Sequence, residues 1–531
     1  MRSQADRLPR EAAGTGDHPA TLDSRLLMIT AVCTLLPVMV TLDATVVNVA
    51  QRTFIDRFSS TQAVVAWTVT AFTLALAAVI PFTGWAANRL GTKRLVLGSV
   101  LLFSIGSLLC ALASNIVLLV AFRGLQGLGG GMLLPLQLII LARAAGPQLL
   151  GRVLTIGMVP VLLAPICGPI LGGWLIDAFG WQWIFLINIP IGLLTLVLAV
   201  IVLPRDVPVP AEPLDMLGMV LLSPGLVLLF YGMSLLPNRA AIADSYIWVP
   251  AATGLLLIVA FVVHALRRAD HPLIDLRLLN NREVAAANAI RFLFAASFFG
   301  CCLLFPGYFQ QVLSKTPLES GLLLIPQTLG AAAVVPIVGR LLEQHGARGI
   351  VLTGTTLTVM GMGVFVYGTS RDHVDLSVLL TGLAMFGVGS ACMMTPVSWA
   401  AVRTLKPSEV AHGSTLLTVN HNTAASIGAA LMSVILTARF NGNADIAAAN
   451  RAAWIRDEAA RMGLPADLSR LPSQVLAPDF PARLANDLSR AYAGVFAVAT
   501  ILLAATAIPG VLLPKRPAHR GDAVHVDPLP T

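Results

Sequence analysis

The sequence predicts an all-α integral membrane protein with about fourteen transmembrane spans. The chain has 531 residues, of which 56% are hydrophobic and 12% are charged, and its mean hydropathy is +0.80. Soluble globular proteins carry about 25% charged residues, so this chain has more apolar surface than a water-facing fold can bury. The apolar runs are continuous, which indicates helices rather than the alternating segments of a transmembrane β-barrel.

Windows of roughly 20 apolar residues recur along the chain, and this is the length at which a helix crosses a bilayer. We place the spans at approximately 26–50, 63–86, 95–114, 117–142, 153–176, 183–203, 216–236, 247–266, 285–313, 320–341, 349–368, 376–400, 411–438 and 489–513. A surface helix is also expected near Ala447–Met462, in the connection between the last two of these spans.

The basic residues predict that the N- and C-termini are both cytoplasmic. With the N-terminus inside, sixteen Lys and Arg residues fall in the inner loops and at the C-terminal tail. The short outer loops then hold Arg52, Arg57, Arg239, Lys315 and Arg371. This asymmetry is the positive-inside pattern. Because the basic residues are scattered among short loops, the net charge of +8 does not indicate a nucleic-acid partner.

The six cysteines and the motif inventory argue against metal binding and against enzymatic activity. The cysteines lie inside apolar runs and form no CxxC pair, so we expect neither a disulfide framework nor a metal site. The sequence contains no HExxH or GxSxG motif, so an enzyme is not expected. The cysteines are Cys33, Cys110, Cys167, Cys301, Cys302 and Cys392.

One glycine pattern occurs twice, each time at a predicted cytoplasmic helix end, and this repeat predicts two six-span halves with two extra spans between them. The copies are Gly84-x-x-x-Asn88-x-x-Gly91, followed by Arg94, and Gly339-x-x-x-Glu343-x-x-Gly346. The expected divisions are a cytoplasmic tail at 1–25, a six-helix bundle at 26–204, two extra helices with flanking cytoplasmic loops at 205–283, a six-helix bundle at 284–514 with a long external loop at 440–488, and a cytoplasmic tail at 515–531.

Asp43 is a carboxylate within the apolar run 35–47 of the first span. An ionisable group at membrane depth is costly, so it is a functional candidate by default. Arg123 in the fourth span lies at a similar predicted depth, about 10 Å below the outer surface. Equal depth favours a coupling between the two residues. Alternatively, Arg123 snorkels to the headgroups or bonds to backbone carbonyls.

The glycines near Arg123 and those of the fifth span predict close helix packing. The run from Gly124 to Gly131 is not a nucleotide-binding loop, because it lacks a preceding strand. Pro169 lies between Gly168 and the pair Gly172-Gly173, which indicates either a bendable helix or a passive kink.

Other polar residues in the spans are weaker candidates. We expect a substrate cavity to draw on Asn48, Gln126, Tyr308, Gln310 and His421, although packing is the alternative for His421. Arg291, two turns into the ninth span, is expected to snorkel.

Several of these segments resemble the fourteen-span drug:proton antiporters of the major facilitator superfamily, the QacA/EmrB type. The match runs from about Leu26 to Pro514. It is carried by Leu42–Ala50, Gly84–Arg94, Arg123-x-x-Gln126-Gly127, Gly168-Pro169-x-x-Gly172-Gly173, Trp181–Gly192 and Pro306-x-Tyr308-x-Gln310.

The resemblance implies a major facilitator fold with two pseudo-symmetric bundles, in a bacterial plasma (inner) membrane. It implies proton-driven export of small amphipathic or cationic compounds, with Asp43 and Arg123 in proton coupling. No cofactor is implied besides the proton as coupling ion. The implied partners are the lipid bilayer, the substrate and a periplasmic adaptor of the kind that relatives in double-membrane bacteria use. The implied gating residues are Gly84, Asn88, Gly91, Arg94, Gly127, Gly168, Pro169, Gly172, Gly173, Gly339, Glu343 and Gly346.

The sequence departs from the family pattern at four positions. Asn88 stands where relatives have an acid, and Thr92 stands where they have a basic residue. Arg52 replaces a proline, and Gln182 replaces a frequent arginine. We therefore expect a weakened salt-bridge latch between the halves.

Two other transport functions remain open. A dedicated exporter of one metabolite or antibiotic would have the same sequence features as a broad-range exporter. A proton-coupled uptake symporter is disfavoured through the resemblance of the Gly168–Gly173 motif to the antiporter motif.

Overall fold

The computed structural model describes residues 22–206, 213–235, 245–267, 272–371, 375–406, 409–461 and 471–514. The described residues are helical and contain no strand. Nearly all of the predicted N-terminal tail, and all of the C-terminal one, lie outside these ranges. The helices are α1 Ser24–Phe58, α2 Gln62–Val79, α3 Thr83–Leu90, α4 Thr92–Ala111, α5 Ile116–Phe179, α6 Trp183–Leu186, α7 Asn188–Val202, α8 Met216–Leu235, α9 Ser245–Arg267, α10 Arg282–Gln311, α11 Pro317–Leu322, α12 Ile325–His345, α13 Ala347–Thr369, α14 Leu376–Val402, α15 Val410–Asn441, α16 Ala444–Arg461, α17 Phe480–Ala505 and α18 Ala507–Gly510.

Thirteen helices in the described part of the chain are long and apolar enough to cross a membrane. The difference from fourteen lies in α5, which contains both the fourth and the fifth predicted spans. Its second part includes two shorter apolar helices, Gln148–Ala164 and Ile170–Phe179. The all-helical membrane architecture is thus confirmed. Several helices begin or end at residues other than the predicted span limits.

The predicted loop between the fourth and fifth spans is wrong, because residues 143–152 are helical except at one residue. Gly146 has φ 62° and ψ 176°, a backbone conformation that glycine adopts without a steric penalty. Pro147 follows it, and proline is well suited to the first position of a helix. The chain therefore changes direction at Gly146 and resumes a helix at once.

Side-chain caps begin several helices where the sequence turns between spans. Asn115 accepts a hydrogen bond from the backbone N–H of Leu118 at 2.9 Å and caps α5. Asn281 caps α10 in the same way through Glu283. These caps satisfy backbone donors that the helix itself leaves unpaired.

The helices pack in two groups joined by a central contact. In the first group α5 packs on α1, α2 and α4, and in the second α14 packs on α12 and α13 while α10 packs on α15 and α17. The groups meet where α5 contacts α12, α14 and α15. The two additional helices, α8 and α9, pack on each other, and α8 also contacts α2 and α15.

The repeated glycine pattern has the same backbone form in both copies. Gly91 has φ 90° and separates α3 from α4, and Gly346 has φ 75° and separates α12 from α13. A residue with a side chain is strained at such values. The repeat seen in the sequence therefore corresponds to two equivalent helix junctions.

The predicted surface helix in the long connection is present as α16, which starts three residues before the expected Ala447. It packs against α15 and α17, with Ile446, Ala448 and Ala452 buried.

Candidate functional site

Asp43 lies near the middle of α1 and is buried, and its carboxylate forms an ion pair with Arg123 of α5. Arg123 Nη1 is 2.5 Å from Asp43 Oδ2, and both side chains are fully inaccessible. The predicted proximity of the two residues is therefore observed. Charge-assisted hydrogen bonds of this kind are short and strong.

The other oxygen of the Asp43 carboxylate receives two amide groups. Gln126 Nε2 donates to Oδ1 at 2.9 Å, and Asn188 Nδ2 donates to it at 2.8 Å. Both amides also reach Ser107 Oγ, which itself donates to the backbone oxygen of Phe185. Helices α1, α4, α5 and α7 thus meet at one buried carboxylate.

Arg123 is held from three further directions. Its Nε donates to the backbone oxygen of Thr68 at 3.0 Å, and its Nη1 also donates to Gln126 Oε1 at 2.7 Å. The guanidinium lies 4.1 Å from the centroid of the Phe72 ring, a cation–π distance. Arg123 bonds to a backbone carbonyl, as the alternative expected, but it does so while paired with Asp43 and without snorkelling.

This arrangement surrounds the Asp43 carboxylate with hydrogen-bond donors. Three N–H donors face the carboxylate from Arg123, Gln126 and Asn188. A proton on either oxygen would displace one of these donors and would leave Arg123 charged in a buried position without its counter-ion.

Small residues let the helices around Asp43 approach closely. A Cβ atom on Gly168 would overlap the side chain of Thr45, and one on Gly172 would lie 3.1 Å from Val46. A Cβ atom on Gly127 would similarly lie 2.5 Å from the backbone oxygen of Phe72. By contrast, nothing lies within 4 Å of a Cβ on Gly173. The α5 glycines at 168 and 172 therefore pack on the turn of α1 that follows Asp43.

The two copies of the glycine repeat contact opposite halves of the molecule. A Cβ on Gly84 of α3 would lie 2.8 Å from Thr415 Oγ1 of α15. A Cβ on Gly339 of α12 would lie 2.7 Å from Thr155 Oγ1 of α5. Gly151 also faces Leu342 and Trp399. The halves are thus closed against each other at the end predicted to be cytoplasmic.

Asn88, which replaces the family's acid, accepts a hydrogen bond from Arg143 Nη2 at 2.7 Å. A carboxylate at this helix junction comes from Asp206 instead. Its oxygens accept from the backbone N–H groups of Lys93 and Arg94 at 2.9 and 3.1 Å. A Cβ on Gly91 would overlap Asp206. The first turn of α4 is therefore capped by an acid that the motif does not contain.

The expected cavity residues are dispersed. Asn48 and Gln310 are exposed, whereas Gln126 belongs to the Asp43 cluster. Tyr308 is fully buried against Phe365, Tyr492 and Phe496, so it packs in the core of the second group and does not line a cavity. The prediction for Tyr308 is therefore wrong in position.

His421 of α15 and Arg291 of α10 both belong to the second group, where these two helices pack on each other. The His421 ring is 5.3 Å from the Phe299 ring. Arg291 Nη1 is 3.2 Å from Met394 Sδ of α14, and its Nε is buried. The expectation that Arg291 snorkels is wrong, because its guanidinium points at the neighbouring helix within the bundle.

Asn188, Ser107 and Thr68 complete the site and are absent from the predicted set. Asn188 lies in the segment Trp181–Gly192 that resembles the family, but an amide in a span commonly joins helices and does not by itself indicate a site. The side chains of Pro169 and Glu343 lie outside the described structure, although both residues are in helices. Among the residues that are described, no group of three His, Cys, Asp or Glu side chains could hold a metal ion.

Comparison with known proteins identifies the family and the fold of this chain. The family model for the Major Facilitator Superfamily matches residues 33–276 and 287–449. The chain is 52% identical over 512 residues to the "Multidrug resistance protein B homolog" of Mycobacterium tuberculosis, across 96% of this chain and 94% of the relative. It is 30% identical over 420 residues to the "Multidrug export protein EmrB" of Haemophilus influenzae, across 78% of this chain and 81% of that relative.

A solved structure of the proton:xylose symporter XylE superposes with a TM-score of 0.56 and 14% sequence identity, covering 90% of this chain and 95% of that one. At this identity the likeness concerns the fold alone.

Proposed function

Because the chain belongs to the Major Facilitator Superfamily, we propose that it exports small amphipathic compounds across a bacterial plasma membrane in exchange for protons. Two relatives that match most of the chain carry the names multidrug resistance protein and multidrug export protein. Their names support efflux as the direction and a broad range of small molecules as the substrate. The termini are proposed to be cytoplasmic, on the charge asymmetry of the loops.

The observation that carries proton coupling is the buried Asp43–Arg123 ion pair. A carboxylate at this depth that can exchange a proton with only one side at a time links proton entry to conformation. In the proposed cycle, Asp43 takes a proton from outside, and its bond to Arg123 weakens. The helices then rearrange, the site becomes accessible to the cytoplasm, and the proton is released there.

The glycine contacts at the predicted cytoplasmic end provide the gate in this proposal. Opening inward requires Gly84 to separate from Thr415 and Gly339 to separate from Thr155. The packing of Gly168 and Gly172 on α1 connects the Asp43 turn to α5, and α5 carries residues of both the site and the gate. A change at Asp43 can therefore reach the gate through one helix.

Transport in proteoliposomes under an imposed pH gradient tests this function. The full chain is reconstituted and screened against a panel of amphiphiles with positive, neutral and negative head groups. We expect gradient-driven export by the wild type and its loss in Asp43→Asn. Asp56→Asn is the matched control, because Asp56 is exposed on the same helix. Full gradient-driven export by Asp43→Asn would refute the assigned coupling role.

A further inference from the structure

We propose that Arg291 and His421 form an anion-binding subsite in the second helix group, which receives the carboxylate or another anionic group of an amphipathic substrate. This inference rests on the proposed efflux function and specifies the chemical class of its substrate. It adds an anionic head group to the amphipathic or cationic compounds that the family resemblance implies.

Arg291 lies inside the second group and carries a charge that no described acid neutralises. It is nine residues after the start of α10 at Arg282, which places it about 14 Å along the helix. Its one described hydrogen bond is the 3.2 Å contact of Nη1 with Met394 Sδ, and sulfur is a weak acceptor. Its buried Nε has no described partner.

The contrast with Arg123 shows what is missing at Arg291. Arg123 has the Asp43 carboxylate, the Thr68 carbonyl and the Gln126 amide oxygen. A guanidinium without such partners is costly inside a membrane bundle, and ionised groups at this depth mark substrate or ion pathways. The Arg291 residue as a whole is partly buried.

His421 adds a second unpartnered polar group to the same place. Its ring nitrogen Nδ1 is buried without a described hydrogen bond. Asn420, next to it on α15, donates to the backbone oxygen of Asn288 at 2.7 Å, one turn before Arg291 on α10. This bond joins α15 to α10 within one turn of both residues, so Arg291 and His421 lie at the same level of the α10–α15 contact.

Aromatic rings border these polar groups and suit the apolar body of an amphiphile. Phe299 packs edge-on against His421 at 5.3 Å and is 39% exposed. Phe298 stacks on Phe386 at 5.4 Å and is partly accessible. Apolar walls with a few convergent polar groups are typical of small-molecule sites. An anionic head group at Arg291 would place a flat hydrophobic body along these rings.

Binding to the purified full chain tests the subsite without a proton gradient. The probes are naphthylacetate, naphthylacetamide and naphthylethylamine, which share a ring system and differ in the charge of the head group. We expect the wild type to bind the acetate more tightly than the amide and the amine. Equal binding of all three probes, or a preference for the amine, would overturn the proposal.

Variants of Arg291 assign the preference to this side chain. Arg291→Met is expected to weaken acetate binding by about tenfold or more, the usual scale for a charged hydrogen bond, with the amide affinity unchanged. Arg291→Lys should keep most of the preference. Arg340→Met removes an exposed arginine of the same half and should leave all three affinities unchanged. A parallel loss of acetate and amide binding in Arg291→Met would count against the subsite.

Thermal unfolding without ligand separates binding from a structural role. Removing an uncompensated buried charge should leave Arg291→Met at least as stable as the wild type, whereas loss of a structural ion pair would lower its unfolding temperature. Should Arg291→Met be unstable, His421→Phe provides a second variant, which is expected to weaken acetate binding selectively. Unchanged acetate binding in His421→Phe would then contradict the proposal.

Failure of the subsite can be distinguished from failure of the proposed function. Acetate-selective binding without gradient-driven transport would support the subsite and refute proton-coupled export. Gradient-driven export of the amide and the amine, with no binding preference for the acetate, would support export and refute the subsite.

Discussion

Arg123 and Asp43 are separated by 80 residues in sequence, yet their side chains form a fully buried ion pair at 2.5 Å. The pair joins α1 to α5. Next to it, Gly168 and Gly172 of α5 pack against the turn of α1 that follows Asp43. Because neither group reaches solvent, each one depends on the other for its charge balance. In the proposed cycle, protonation of Asp43 breaks this dependence and allows the helices to rearrange.

A double-mutant cycle should show strong coupling between the two residues. Asp43→Asn leaves Arg123 charged and buried, so we expect a loss of about 3–5 kcal/mol in stability. Arg123→Met should be destabilising for the reciprocal reason. The combination of Asp43→Asn with Arg123→Met should be less damaging than the sum of the single changes. Thermal unfolding of the four proteins in one detergent measures this, and additive effects would show that the pair is not coupled.

The sequence predicts the charged part of this site but not its amide part. Asp43 and Arg123 stand out because ionised side chains are rare in spans, and equal depth brings them together. Asn188 and Ser107 do not stand out, because amides and hydroxyls commonly join transmembrane helices. Which of them faces the carboxylate depends on the rotation and packing of α4 and α7, which hydropathy does not determine.

Replacement of Asn188 should weaken the site without abolishing it. Asn188→Ala removes one of two amide donors on Asp43 Oδ1, while Gln126 remains. We expect a loss of about 1–3 kcal/mol in stability and reduced gradient-driven transport. Asn450→Ala is the control, because Asn450 is an exposed asparagine of α16, away from this site. Thermal unfolding and transport are measured on both variants, and equal behaviour of the two would rule out a role for Asn188.

Replacing single glycines of α5 by alanine should show which of them are needed for the close packing of α5 on α1. Gly168→Ala introduces a Cβ that overlaps Thr45, so α1 and α5 must move apart next to Asp43. Overpacking of this kind typically destabilises by about 1–3 kcal/mol, and we expect transport to fall with it. Gly173→Ala on the same helix meets nothing within 4 Å and should be tolerated. Similar transport rates for the two variants would contradict this account.

The fold is predicted more completely than its helix junctions. Apolar length identifies thirteen of the fourteen expected spans as separate helices. It fails at Gly146, where a single residue turns the chain and a loop had been expected. The prediction that Arg291 snorkels also fails, because the position of a residue along a helix does not determine the direction of its side chain. The direction of that side chain is determined by its neighbours on α14 and α15, which hydropathy does not specify.

Asp215, just before the start of α8, joins the two additional helices. His264 Nε2 of α9 lies 3.0 Å from Asp215 Oδ1. The backbone N–H of Gly218 donates to Oδ1 at 2.9 Å, and that of Leu273 donates to Oδ2 at 3.2 Å. Burial raises the pKa of Asp215, but these hydrogen bonds and the His264 charge outweigh it, so the pKa is lowered. The ionised form is therefore the one that the folded protein stabilises.

The sign of the pH dependence follows from this lowered pKa. The stabilising contribution of Asp215 is fully present above its unfolded pKa of about 3.9, and it is lost as pH falls through the lower folded value. Asp215→Asn should therefore lower the unfolding temperature at neutral pH, by the equivalent of about 1–3 kcal/mol. The difference from the wild type should shrink as pH falls below 4. Asp177→Asn, at an exposed position, serves as the control. A difference that stays constant from neutral to acidic pH would show that the Asp215 charge does not hold these helices together.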